Sequence, residues 1–145
     1  MKTTELRIGN IVRNSLDHMR GTVLSINTDM SVLLREEGPL ANRLWVKEQH
    51  LEPVLLTAKL MKCNETYDGR YGWRDDDPLG QGDSFEHIGF GGETFRLYKV
   101  DEEYWSYQYG NLRTHKGYLR YMHELQQRVQ DAGIEWTPII RFNVV

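Results

Sequence analysis

Residues 114–133 are the only stretch of this chain with a sustained helical period, and any fold must bury one side of it. At about 100° per residue, Tyr118, Met122, Leu125, Val129 and Ala132 share a stripe, with Tyr121 at its edge. Arg120, His123, Glu124, Gln127, Arg128 and Gln130 lie opposite and read as solvated, with Glu124 four residues before Arg128 for an exposed ion pair. Thr114 is placed to cap the start and Gly133 to take the left-handed conformation past the end, so the spacing predicts one helix over 115–132. Such a helix is marginal alone and needs a layer to lie on.

The rest of the chain supplies strands, and composition divides them near Thr57. Residues 1–56 hold seven basic and seven acidic groups and one aromatic, Trp45; residues 57–145 hold the other 15 aromatics and 11 basic against 14 acidic groups. Short apolar runs at 10–13, 21–26, 30–34, 43–46 and 52–55 alternate with turn residues, and 47–51 reads as a tight turn before the last run. That outline is an SH3-like small β-barrel over residues 1–56. Thr57 then caps a short helix over 58–63.

From Tyr67 the period becomes two, with Tyr71 and Trp73, Phe95 and Leu97, and Trp105, Tyr107 and Tyr109 sharing faces. Runs at 93–100 and 104–109 flank an acidic turn and predict an antiparallel hairpin, with 84–90 beside it and a terminal run at 139–142 available as an edge strand. The expected class is α+β: the barrel, then an antiparallel β-meander over 57–145 covered by the one C-terminal helix.

The net charge of −3 gives no global case for nucleic acid, although local patches are open. The single cysteine, Cys63, excludes an intrachain disulfide and, with no histidine near it in sequence, offers no activated nucleophile. MKTTELRIGN lacks the apolar run of a secretory signal, and no window approaches the roughly 20 apolar residues of a membrane span, so cytoplasmic residence without membrane contact is expected.

Asp75, Asp77, Gly80, Asp83 and Glu86 have partial calcium-loop spacing, but Leu79 takes a ligand position and neither flank is helical, so the segment reads as an exposed acidic loop. Gly80, Gly82, Gly89, Gly91 and Gly92 precede no helix and read as turn glycines. The five histidines lack zinc-motif spacing. No cofactor, no metal and no enzymatic activity are expected.

Leu6-Arg7-Ile8-Gly9-Asn10, the run from Leu51-Glu52-Pro53 to Leu56-Thr57, and Tyr121-Met122-His123-Glu124-Leu125-Gln126 together resemble a family of small uncharacterised proteins encoded by prophages and mobile elements of gut bacteria. The resemblance implies an accessory role and carries no catalytic residues. Two functions follow as expectations. The first is binding of another protein through the aromatic sheet face, with Tyr71, Trp73, Trp105, Tyr107 and Tyr109 as anchors. The alternative is nucleic-acid binding by the small barrel, with Arg13, Arg20, Arg35, Arg43 and Lys47 gathered on one side.

Overall fold

Alternation of β-branched and aliphatic residues with polar ones builds the first sheet. In the computed structural model, which describes residues 1–66, 72–77, 79, 82–88, 94–110 and 117–139, it comprises β1 (Ile11–Asn14), β2 (Arg20–Ile26), β3 (Ser31–Glu36), β4 (Arg43–Lys47) and β5 (Leu51–Pro53). The order is β4-β3-β2-β1-β5, all pairings are antiparallel, and a 3-10 turn at Glu48–His50 precedes β5. In these pairings β4 and β5 remain edges. The sheet is therefore open, and the closed barrel expected from the sequence is not formed among the described residues.

Period two decides what this sheet buries. Leu6, Val12, Val23, Val32, Leu34, Val46 and Leu51 form one apolar cluster, and at about 2 kcal/mol per buried aliphatic side chain it is the main source of stability here. A register shift between Val23 and Ser25 inserts an extra residue into β2, so that Val23 before it and Ile26 after it both stand across from core-side residues of β3, Leu34 and Val32.

The second sheet comprises β6 (Trp73–Asp75), β7 (Ser84–Ile88), β8 (Thr94–Lys99), β9 (Trp105–Tyr109) and β10 (Gly117–Leu119) in the order β10-β9-β8-β7-β6. Its core face is aromatic. Trp73 meets His87, Phe95 and Trp136 edge-on, while Phe95 stacks against Tyr107 and Tyr109 at interplanar angles of 2° and 8°. Helix α1 (Ala58–Cys63), capped by the Thr57 hydroxyl as its sequence predicts, buries Leu60 and Met61 and lies against β6. Trp105 donates its indole N–H to the Leu56 carbonyl at 3.1 Å.

The late helix differs from its expectation. Helix α2 runs Met122–Asp131, and Gly117–Leu119, assigned by period to its first turn, pair with Tyr107–Trp105 as β10. Tyr118 is consequently 63% exposed instead of buried on the stripe. The physical reason lies in the glycine at 117, which weakens a helix start, and in β9, whose free edge offers backbone partners that a helix nucleus must form unaided. The proposed cap Thr114 lies outside the described residues. Instead, Glu124 Oε1 accepts the Tyr121 N–H at 2.9 Å, the reciprocal half of a capping box, so Glu124 serves the helix start while Arg128 pairs with Asp131. At the other end Gly133, with φ +78°, donates to the Gln130 carbonyl and Ile134 to that of Val129, closing a Schellman turn as foreseen.

The chain forms two compact units. One is built on Met1–Val54 with Tyr121–Gln127, the other on Leu55–Arg120 with Arg128–Ile139. The first two turns of α2 thus belong with the first sheet. Gln126 donates to the Gly9 carbonyl at 2.7 Å and accepts the Ile11 N–H at 2.8 Å, and Gln127 donates to the Glu5 carbonyl. The expectation that the whole helix covers the meander is corrected: within the second unit α1, Trp136 and the last turn of α2 take that place. Ile139, expected to begin an edge strand, is instead held by a reciprocal pair of hydrogen bonds with the Asn64 side chain, and 140–142 lie outside the described residues. No helix among the described residues is long and apolar enough to cross a membrane.

Candidate functional site

Strand register decides which side chains of the first sheet share a surface. Ile11 faces Thr22, Thr22 faces Arg35 and Arg35 faces Arg43, so these four lie on one side. Two residues along each strand, Arg13 faces Arg20, Leu33 faces Trp45 and Ser31 faces Lys47, all on that same side. The five cations named from the sequence therefore emerge together on the face opposite the valine and leucine core. No outward position of β1 to β4 is acidic; the nearest carboxylate in register is Glu52 of β5, opposite Arg13.

The cations are not equivalent. Arg35, Arg43 and Lys47 are exposed, Arg13 is half-buried, and Arg20 is buried and engaged within the protein. Neither an ion pair nor a side-chain hydrogen bond satisfies Arg13, Arg35, Arg43 or Lys47 among the described residues, and the buried Arg13 Nε has no partner there. Arg35 stands directly across from Arg43. Like charges in that position destabilise a sheet by up to about 1 kcal/mol, so the pair opposes folding.

Several acids of this unit have hydrogen-bond donors of their own. Glu48 accepts the Thr3 N–H, Asp29 accepts from Ser31, and Glu36, buried on the core side of β3, accepts from the Asn14 amide at 3.4 Å. Burial pushes the Glu36 carboxyl up to about 7, helped by a hydrogen bond and repulsion from Asp17 and opposed by Asn14. Asp17, Glu36 and Glu37 line one acidic cleft beside the 37–42 loop, away from the basic strand positions. Charge is segregated within a unit that is neutral overall.

At the centre of the exposed part lies Trp45. It is 54% exposed, flanked along β4 by Arg43 and Lys47 and across the ladder by the half-buried Leu33. In the sequence it stands out only as the lone aromatic of residues 1–56. The signal was present in Arg43-Leu44-Trp45-Val46-Lys47, where charged or aromatic residues alternate with aliphatic ones and a strand must put the first set on one side.

The aromatic set fares differently. Trp73 and Trp105 are fully buried, Tyr107 is half-buried, and only Tyr109 reaches solvent, at the sheet's margin; Tyr71 lies outside the described residues. Two tryptophans expected as contact anchors are therefore core side chains, because the second unit fills its interior with rings where the first uses valine and leucine. On the outer face of that sheet charges are paired: Glu86, nearly buried, is held by Arg74 and reached by Arg96 at 3.5 Å, and Gln108 donates to the Tyr98 hydroxyl at 3.0 Å. Glu86, a would-be calcium ligand, is thereby occupied, and no group of three or more acidic, histidine or cysteine side chains suited to a metal exists among the described residues.

His87 and His123 are buried. His87 sits against Trp73, its Nδ1 has no partner among the described residues, and burial pushes it down to about 4. His123, expected on the solvated side of the helix, is buried too, and burial lowers it against the opposing pull of Glu124 and Glu5. No family model, curated protein or solved structure matches the chain.

Proposed function

We propose that the chain is a non-enzymatic nucleic-acid-binding protein and that the outer face of β3 and β4 is its contact surface. One observation carries the reading: Arg35, Arg43 and Lys47 project from one sheet face without carboxylate partners among the described residues, around an exposed tryptophan. Unpaired cations release counterions when phosphates replace them, and an exposed ring offers a base a stacking partner. Protein binding through the aromatic face of the second sheet is disfavoured, because Trp73 and Trp105 are withdrawn from solvent.

The strand order β4-β3-β2-β1-β5, with a 3-10 turn before β5, supports reading the first unit as a variant of the SH3-like small barrel that presents this face outward. An accessory role in a prophage or mobile element suits a protein that handles nucleic acid without chemistry of its own. The groups with displaced proton affinities, Glu36, His87 and His123, are buried, whereas Arg35, Arg43, Lys47 and Trp45 are exposed. The test is fluorescence anisotropy with labelled oligonucleotides over a salt series. Affinity should fall steeply with salt, and Arg35→Gln and Arg43→Gln should each flatten the log–log slope by about 1. Binding that is absent, or indifferent to both substitutions, refutes the proposal.

A further inference from the structure

We infer that the nucleic acid this face accepts is single-stranded, lying along β4 with one unpaired base stacked on Trp45 and phosphates two steps apart on Arg43 and Lys47. The inference rests on the nucleic-acid reading above and adds strandedness and register to it. Successive outward residues of an antiparallel strand are about 6.8 Å apart, close to one nucleotide step of an extended backbone. Arg43 and Lys47 are therefore about 13.6 Å apart along the strand, two such steps, with Trp45 midway, so the two cations reach phosphates two steps apart on either side of a base stacked on the ring.

A duplex does not fit this surface as well. Its bases present only their edges, in grooves that admit a helix or a free two-stranded ribbon. Here β3 is hydrogen-bonded on both sides, to β2 and to β4, so β3 and β4 are part of a broad sheet and not a ribbon that can enter a groove. The half-buried Leu33 beside Trp45 widens the apolar platform and suits the face of a base, not its edge. The outward positions of β3 and β4 are Ser31, Leu33, Arg35, Arg43, Trp45 and Lys47, with no Asn or Gln to pair with adenine, so recognition should be tolerant of sequence.

The experiment compares a short labelled oligothymidylate with a hairpin duplex carrying the same number of phosphates, using the full chain and the variants Trp45→Ala, Trp45→Phe and Arg43→Gln. The single strand should bind about tenfold or more tighter than the hairpin; Trp45→Ala should lose about tenfold on the single strand alone, and Trp45→Phe should keep most of the affinity because a ring remains. Unchanged thermal melting of Trp45→Ala certifies that the fold is intact. Equal binding of hairpin and single strand, or a Trp45→Ala variant that binds the single strand as the parent does, overturns the inference; if Arg43→Gln still weakens that binding, the nucleic-acid reading survives. No salt-sensitive binding to either probe overturns both.

Discussion

The two sheets carry similar numbers of strands and opposite charge arrangements on their outer faces. On the second, Arg74, Glu86 and Arg96 are neighbours across β6, β7 and β8, and each cation has the same carboxylate within reach. On the first, Arg35 faces Arg43 and no carboxylate stands between. The first sheet is packed by aliphatic side chains and leaves its tryptophan outside; the second is packed by rings, with both of its tryptophans buried and tyrosines such as Tyr109 and Tyr118 exposed. Charge count and aromatic count both point to the second half of the chain. Pairing and burial point to the first, because a cation already neutralised in its own sheet has little left to give a ligand.

The contrast breaks most readily at the two tryptophans. Trp73→Ala should cost about 3–5 kcal/mol in urea unfolding, since it empties a core position against His87, Phe95 and Trp136, whereas Trp45→Ala should stay within about 0.5 kcal/mol. Similar losses would mean that Trp45 is packed and the platform does not exist.

The pH profile sharpens it next. Folded His87 stays neutral down to about 4, whereas the unfolded side chain takes up its proton near 6.5, so this stability is present at neutral pH and lost as pH falls through that window; His123 acts in the same sense. Glu36 works the other way: folded, it holds a proton up to about 7, and unfolded only to near 4.5, so its contribution is full in acid and lost as pH rises between those values. Urea midpoints against pH should show His87→Phe flattening the acid arm and Glu36→Gln the arm toward neutrality. An unaltered slope in Glu36→Gln would mean that burial does not raise the proton affinity of Glu36 in the folded protein.

Smaller effects separate the two charged faces directly. Glu86→Gln should destabilise by about 2 kcal/mol, because Arg74 and Arg96 lose a charged acceptor. Arg43→Thr should instead stabilise by about 0.5 kcal/mol at low salt, by removing the repulsion with Arg35, while weakening oligonucleotide binding. A destabilised Arg43→Thr would show that the cation is paired in solution and remove the argument for an external anion.

Much of the fold was legible because it is local. The alternation of 21–26, 30–34 and 43–46 marks β2, β3 and β4 to within two residues, Thr57 marks the start of α1, and Gly133 marks the stop of α2. The beginning of α2 was not, because Gly117–Leu119 fit a helical period and also fit the free edge of β9, and only the strand beside them breaks the tie. The candidate site was half legible: the five cations could be named, but the ring among them was passed over as a solitary tryptophan.

What the sequence determined alone is the two-residue rhythm of the strands, the start of α1 and the stop of α2, and the inventory of charges and rings, since each depends on neighbours a few positions away. Tertiary structure decided which of those groups meet water. Whether Arg35 opposes Arg43, whether Glu86 lies between two arginines, and whether a tryptophan points inward depend on register across loops and on a one-residue bulge in β2, and a slip of one position there would exchange the two faces of the sheet.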